Sequence, residues 1–159
     1  MMSLNTAASI EGVVISPLSI ISDDRGSVLH MLRSDSESFT KFGECYFSEV
    51  FPGAVKAWKR HKVQTQNLSA PSGLIQLVIF DVRPDSKTFN NLLIIQTGRP
   101  DNYFRITIPP GLWYGFKCIG ETPALLANCA DFPHDKSESE TLELHSNLIP
   151  HKWNETLTS

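Results

Sequence analysis

Short apolar stretches separated by turn signals are the feature that most constrains the fold of this chain. The turn signals are S-D-D-R-G, F-P-G, A-P-S-G, R-P-D-S, T-G-R-P-D and I-P-P-G, and their Gly, Pro and Asp residues favour chain reversal. Nine segments between or beside them are predicted to be strands: Val13–Ile15, Ile20–Ile21, Cys45–Val50, Val55–Val63, Leu74–Val82, Leu92–Gln96, Tyr103–Ile108, Phe116–Ile119 and Ala124–Cys129. Many short strands at this spacing predict an all-β antiparallel sandwich or jelly roll.

The rest of the chain adds little to this architecture. One helix candidate, around Ser36–Phe42, would be about two turns long. The polar tail after His134 is predicted to be a surface segment that ends near Ile149–Trp153. With no internal repeat or low-complexity tract, residues 1–159 are expected to form a single domain.

The segment V-K-A-W-K-R-H-K-V-Q-T-Q (Val55–Gln66) places a histidine in a basic, strand-like run. Alternation puts six residues on one face and five on the other: Val55, Ala57, Lys59, His61, Val63 and Thr65, against Lys56, Trp58, Arg60, Lys62 and Gln64. The first face is mostly apolar and is expected to turn inward. Lys59 and His61 on that face would be costly without a partner or a ligand. The alternative is a strand that twists or bulges here and leaves both groups solvated.

Composition excludes several classes of function. The net charge of −3 argues against a nucleic-acid binder, whereas the local cluster of Lys56, Lys59, Arg60 and Lys62 suits a compact anion such as a diphosphate. Three cysteines without metal-like spacing fit a reducing compartment. The sequence shows neither a signal peptide nor an apolar run of membrane-spanning length, so a cytoplasmic protein without a membrane partner is expected.

Five ordered motifs resemble those of the dTDP-4-dehydrorhamnose 3,5-epimerase family of sugar-nucleotide cupins. They are S-D-D-R-G (Ser22–Gly26) for the family's D-x-R-G, W-K-R-H (Trp58–His61) for R-G-x-H, F-D-V-R-P-D-S-K-T-F (Phe80–Phe89) for D-x-R-x-x-S-x-T-F, R-I-T-I-P-P-G-L-W-Y-G-F (Arg105–Phe116) for I-P-x-G-x-x-H-G-F, and F-P-H-D-K-S-E followed by I-P-H-K-W for D-P-x-E and I-x-W. The resemblance implies a cupin-type jelly roll, a nucleotide-sugar substrate and no cofactor. It also implies a homodimer, in which the N-terminal region with Arg25 crosses to the partner.

This sequence departs from the family pattern at four places. Trp58 stands where the family has an arginine, and Tyr114 replaces the histidine of the H-G-F turn. The family's catalytic tyrosine would fall near Ala127 or Asn128, where there is no phenol. The acidic partner of the histidine would fall beyond this chain's end. These departures indicate a divergent, shortened branch, acting on a different sugar or at only one carbon.

The resemblance assigns His61 as the catalytic base, and the predicted strand face adds Lys59. A neutral imidazole can take an α-proton, and a cation two residues away on the same face can stabilise an enolate and lower the histidine pKa. The alternative for Lys59 is a solvated lysine at the barrel mouth. Tyr114 is the candidate acid by motif position, with a purely structural role as its alternative, while His134 is a weaker candidate.

The candidate substrate-binding residues are Arg25, Trp58, Arg60, Lys62, Gln64 and Asn128. The arginines and Lys62 would bind the diphosphate. Trp58 would stack on a ring or else belong to the core. Arg83 is expected to pair with Asp81 or Asp85 instead of a ligand. No bound metal is expected, because the five histidines are scattered and none is within reach of His61 on its strand.

These assignments predict epimerisation at C3, C5 or both of a nucleotide-diphosphate-linked 4-keto-6-deoxy sugar, in deoxysugar or polysaccharide biosynthesis. A cupin ketoisomerase on the same substrate class is one alternative. The other is a non-catalytic sugar-nucleotide-binding protein, which the missing tyrosine makes plausible.

Overall fold

Two five-stranded antiparallel sheets form the body of the computed structural model, which describes residues 9–153. Within that range the strands are β1 (Val14–Pro17), β2 (Ile20–Asp23), β3 (Gly26–Leu29), β4 (Glu44–Val50), β5 (Val55–His61), β6 (Gln66–Ser72), β7 (Ile75–Asp81), β8 (Leu92–Thr97), β9 (Phe104–Ile108), β10 (Leu112–Cys118), β11 (Ala124–Ala130) and β12 (Ser139–Thr141). The first sheet has the order β1-β9-β6-β11-β4, the second β12-β5-β10-β7-β8, and β2 and β3 form a separate hairpin. The predicted all-β antiparallel sandwich is confirmed.

Strand β7 shows why the sandwich has two apolar cores. Its alternate residues Leu77 and Ile79 face the main core between the sheets, whereas Val78 and Phe80 face a second core on the outer side of the second sheet. Because neither face meets water, the strand reads as a continuous apolar run. The second core is closed by the C-terminal segment, whose Ile149 and Trp153 are both buried.

The C-terminal tail is therefore more than the surface segment that its polar sequence predicts. Strand β12 pairs with β5, with Ser139 opposite His61. The turn of 3₁₀ helix before it, Lys136–Glu138, buries Glu138. Polar residues dominate the tail because only isolated side chains along it pack against the two sheets.

Two other sequence expectations need correction. No helix forms at Ser36–Phe42: the chain makes consecutive turns, in which Ser36 N donates to Arg33 O and Phe39 N donates to Ser36 O, both at 3.0 Å. Strands β3, β6 and β12 were not predicted. In β6 the sequence is polar because its side chains bond to neighbouring strands, as when Thr107 Oγ1 donates to Asn67 Oδ1 at 2.8 Å. Within residues 9–153, no helix is long and apolar enough to cross a bilayer.

The R-P-D-S turn is held by a buried carboxylate. Arg83 donates to Asp81 through Nε at 2.9 Å and through the terminal nitrogen at 2.8 Å. Ser86 and Thr88 hydroxyls also donate to Asp81, each at 2.7 Å. Burial alone would raise the Asp81 pKa, but these hydrogen bonds outweigh burial and hold the pKa well below its usual range. The prediction that Arg83 pairs with a neighbouring aspartate is confirmed, with Asp81 as the partner.

Candidate active site

A cleft of about 630 Å³ opens between the two sheets at the β4 and β5 end of the sandwich. Strand alternation sends Glu44, Tyr46 and Ser48 of β4 into it from the first sheet, and Ala57, Lys59 and His61 of β5 from the second sheet. Ala57, Lys59 and His61 therefore face the cleft as predicted. Val55 instead packs against the second core and Lys56 lines the cleft, because the pairing of β5 with β10 shifts its register between Lys56 and Lys59. The volume is in the range of small-molecule sites.

Beyond His61 the predicted alternation fails. Lys62 N donates to Glu138 O at 2.8 Å, and β5 ends there. The chain then bends, so that Val63 becomes exposed while Gln64 becomes buried, the reverse of the prediction.

His61 is held on both sides of its ring. It is only 5% exposed, its Nδ1 bonds to the Glu138 carboxylate, and its Nε2 lies 3.1 Å from the Tyr114 hydroxyl. The other Glu138 oxygen accepts from the backbone N–H groups of Val63 at 3.3 Å and Gln64 at 3.2 Å. Since an ionised carboxylate only accepts hydrogen bonds, Nδ1 carries the proton, and the unprotonated Nε2 accepts from the Tyr114 hydroxyl.

Burial, neighbouring charges and hydrogen bonds set the protonation states of His61 and Glu138. Burial lowers the His61 pKa, the Glu138 carboxylate raises it in part, and the charges of Lys59 and His134 lower it again. Burial by itself would raise the Glu138 pKa, but the hydrogen bonds from His61, Val63 and Gln64 bring it below its ordinary value. Near neutral pH the site therefore holds a neutral imidazole beside an ionised carboxylate, which is the state that a general base requires.

Glu138 corrects the expectation that the orienting carboxylate lies past the end of the chain. Residue 138 closes the motif F-P-H-D-K-S-E, and the 3₁₀ turn brings it to His61 across 77 residues of sequence. The glutamate that ends this motif was the available signal. Its role could not be read from the sequence, because the pairing of β12 with β5 is what brings it to the histidine.

The four basic residues in and just after β5 do not all point into the cleft. Lys56 and Lys59 line the cleft, and within residues 9–153 neither ammonium group has an ion-pair partner or a hydrogen bond. Arg60 instead forms an ion pair with Glu140 and lies 4.7 Å from the Trp113 ring centre. Lys62 donates to Ser137 O at 3.3 Å. The structure therefore does not bring Arg60 or Lys62 into the cleft, contrary to the sequence expectation.

Comparison with known proteins identifies the family. No family model matches the chain. It is 31% identical to the spore coat polysaccharide biosynthesis protein SpsL of Bacillus subtilis, over 91% of this chain and 97% of that protein. It is 33% identical to a probable low-salt glycan biosynthesis epimerase of Haloferax volcanii, over 92% of this chain and 96% of that protein. The chain belongs to the dTDP-4-dehydrorhamnose 3,5-epimerase family.

A solved structure supports the same assignment. The crystal structure of a dTDP sugar isomerase from Desulfovibrio desulfuricans is 50% identical, with a TM-score of 0.89, and the match covers 91% of this chain and 92% of that chain. The predicted family and its cupin-type jelly roll are thereby confirmed for this epimerase-family chain.

Three predicted substrate-binding residues have other surroundings in this family member. Trp58 borders the cleft but is only 2% exposed, and its ring packs 5.0 Å from the Trp153 ring, so it belongs to the second core, which was the alternative to ligand stacking. Asn128 is buried behind Tyr46 and does not line the cleft. Gln64 does line the cleft, but its amide is engaged, since Nε2 donates to Phe132 O at 2.6 Å.

Arg25 lies outside the cleft of its own chain. Its side chain is 84% exposed and bonds to Asp23 at 2.6 Å within the β2–β3 hairpin. The hairpin does not join either main sheet. A role for Arg25 at an epimerase cleft therefore requires a second subunit.

The three tyrosines of the chain occupy different environments. Tyr114 bonds to His61, as described, and burial raises its pKa far above the ordinary value. Tyr103 donates its hydroxyl to His30 O at 2.9 Å, away from the cleft. Tyr46 lines the cleft from β4, and its oxygen accepts from Asn128 Nδ2 at 2.9 Å.

Among residues 9–153, no three His, Cys, Asp or Glu side chains are grouped so that they could hold a metal ion.

Proposed function

We propose that this chain epimerises a nucleotide-diphosphate-linked 4-keto-6-deoxy sugar at C3, C5 or both. The observation that carries the proposal is the His61–Glu138 pair, which presents an unprotonated Nε2 in a cleft of small-molecule size. The names of the related proteins, a glycan biosynthesis epimerase and a dTDP sugar isomerase, support the substrate class.

The proposed chemistry starts with removal of a proton next to the ketone. His61 Nε2 takes the proton, and Glu138 stabilises the imidazolium that forms. The electron pair moves into the C4 carbonyl, giving an enolate. The reaction needs no cofactor, because the substrate's own ketone accepts that electron pair.

Lys59 is placed to stabilise the enolate oxygen. It lies on the same strand face as His61, lines the cleft and has no carboxylate partner among residues 9–153. A fixed cation beside the developing oxyanion is worth more in the transition state than in the bound substrate. Lys56, at the same cleft, supplies charge for the diphosphate.

We expect Lys59→Met to lower turnover by about 10²-fold while changing affinity little, because the enolate charge exists only along the reaction path. Lys59 also lowers the His61 pKa. Its removal raises that pKa, so the base becomes protonated at a higher pH and the acidic limb of kcat/KM moves upward. Steady-state kinetics across pH measure both effects.

Lys62→Met is the matched control for Lys59→Met, because Lys62 is exposed and outside the cleft. It should leave turnover and pH profile unchanged. A Lys59 variant that loses affinity but keeps turnover would assign Lys59 to the diphosphate and contradict the enolate role.

Product analysis tests the proposed function against its two alternatives. The chain is incubated with dTDP-, CDP- and GDP-linked 4-keto-6-deoxy sugars, and the products are examined by NMR. An epimer keeps its ketone at C4 and inverts C3 or C5, which is the expected result. A ketone moved to C3 would identify a ketoisomerase, and binding without any product would identify a binding protein.

We further propose that the chain forms a homodimer in which the β2–β3 hairpin reaches the partner's cleft. The hairpin is separate from both sheets and exposes Ile21 and Val28, while Arg25 projects from its tip. Exposed apolar side chains on an unpaired hairpin favour association. Light scattering should give the mass of a dimer at micromolar concentration; a monomer would contradict the proposal and remove Arg25 from the binding residues.

A further inference from the structure

Inversion of a carbon requires a second proton donor, because the proton must return to the face opposite the base. Tyr114 does not fit this requirement. It lies on β10 in the same sheet as His61, and its hydroxyl is 3.1 Å from the nitrogen that would remove the proton. A phenol on the base's own side can position the imidazole, but it cannot reach the other face of a sugar bound against His61.

Tyr46 lies on the other wall of the same cleft. Strand β4 belongs to the first sheet, and alternation turns Tyr46 toward the cleft together with Glu44 and Ser48. Tyr46 as a whole residue is 38% exposed and lines the cleft, so a bound sugar can contact its side chain. His61 belongs to the second sheet, and a substrate in the cleft would lie between the two side chains.

Asn128 fixes the direction in which Tyr46 can donate. The Asn128 carbonyl oxygen accepts from Asn67 N at 3.1 Å, so its NH₂ group must face the other way, toward Tyr46 and Gln66. The Tyr46 oxygen accepts that hydrogen bond at 2.9 Å, which leaves its own proton available to the cleft.

We propose that Tyr46, positioned by Asn128, is the catalytic residue that returns a proton to the sugar on the face opposite His61. The inference rests on the proposed function. Tyr46 pairs with Asn128 across the β4–β11 ladder, so the phenol missing from β11 is supplied by the neighbouring strand. Asn128 becomes a positioning residue, instead of the substrate ligand expected from the sequence.

The step balances without any further reactant. The Tyr46 O–H bond breaks, a C–H bond forms at the enolate carbon, and the C4 ketone is restored. His61 then releases its proton to water and Tyr46 takes one up. Burial and the Glu44 charge raise the Tyr46 pKa while the Asn128 hydrogen bond lowers it, with a net increase that keeps the phenol protonated near neutral pH.

The test separates proton exchange from inversion. Wild type, Tyr46→Phe, Tyr114→Phe and Tyr103→Phe are each incubated with a dTDP-4-keto-6-deoxy sugar in deuterated water. Mass spectrometry gives deuterium uptake and NMR gives the epimer. Tyr46→Phe should still label recovered substrate within about threefold of the wild-type rate, because His61 exchanges its proton with solvent and returns deuterium to the same face. Its inversion should fall by about 10²-fold or more.

The other variants complete the test. Tyr114→Phe should reduce exchange and inversion together, and Tyr103→Phe should change neither. Asn128→Ala should also lower inversion more than exchange, but by a smaller factor than Tyr46→Phe. A merely structural role for Asn128 would lower both rates equally. Rapid inversion by Tyr46→Phe, or the split phenotype in Tyr114→Phe, would overturn the assignment. A wild type without exchange or inversion would overturn the proposed function as well.

Discussion

Replacing His61 with asparagine should remove almost all proton exchange while leaving the fold and nucleotide binding intact. Asparagine is of similar size and its amide can still donate to the Glu138 carboxylate, but it cannot accept a proton near neutral pH. We expect exchange and epimerisation to fall by about 10³-fold or more, the upper part of the range for a lost general base. Lys56, which supplies charge for the diphosphate, remains in the cleft, so affinity for dTDP should change little.

The measurement combines deuterium uptake with calorimetric titration of dTDP and a melting curve. His145→Asn is the matched control, because His145 is exposed and does not line the cleft. Exchange by His61→Asn within about tenfold of wild type would place the base elsewhere and contradict the inward face of β5 as a catalytic surface.

Changing Glu138 to glutamine should be nearly as damaging, although it replaces one oxygen by nitrogen. Both carboxylate oxygens accept hydrogen bonds, one from His61 and the other from the Val63 and Gln64 backbone. A glutamine has one acceptor oxygen, and the two backbone N–H groups will hold it. Its NH₂ group must then face His61 Nδ1, which forces the proton onto Nε2 and blocks the base.

We expect Glu138→Gln to lower turnover by about 10³–10⁴-fold, as for other histidines fixed in the wrong tautomer. Glu140→Gln is the matched control: Glu140 lies two residues away and pairs with Arg60 outside the cleft. Nitrogen-detected NMR of His61 should report the tautomer directly. Full activity in Glu138→Gln, or an unchanged tautomer, would refute the orienting role.

The fold was predictable wherever burial left a local pattern. Strand β7 is an uninterrupted apolar run because both of its faces meet a core. Strand β6 is buried over its first five residues but is largely polar, since its side chains bond to adjacent strands, and it was missed for that reason. Local alternation carries no information about such cross-strand bonds.

The candidate site shows the same division. Alternation along β5 placed Lys59 and His61 on one face, and both line the cleft. The role of Glu138 depends on its contact with His61, 77 residues away in the sequence. The role of Tyr46 depends on its contact with Asn128, 82 residues away. Those contacts follow from the pairing of β12 with β5 and of β4 with β11, which no local pattern specifies. For Trp58 the sequence left ligand stacking and a core position open, because the second core that buries this residue is formed by distant residues.

The most direct test of proton abstraction by His61 is deuterium incorporation from solvent into a dTDP-4-keto-6-deoxy sugar, followed position by position with NMR. Wild type is expected to label C3, C5 or both within turnover time, and His61→Asn is expected to label neither. Absence of labelling by wild type with dTDP-, CDP- and GDP-linked 4-keto sugars, or equal labelling by His61→Asn, would contradict proton abstraction by His61.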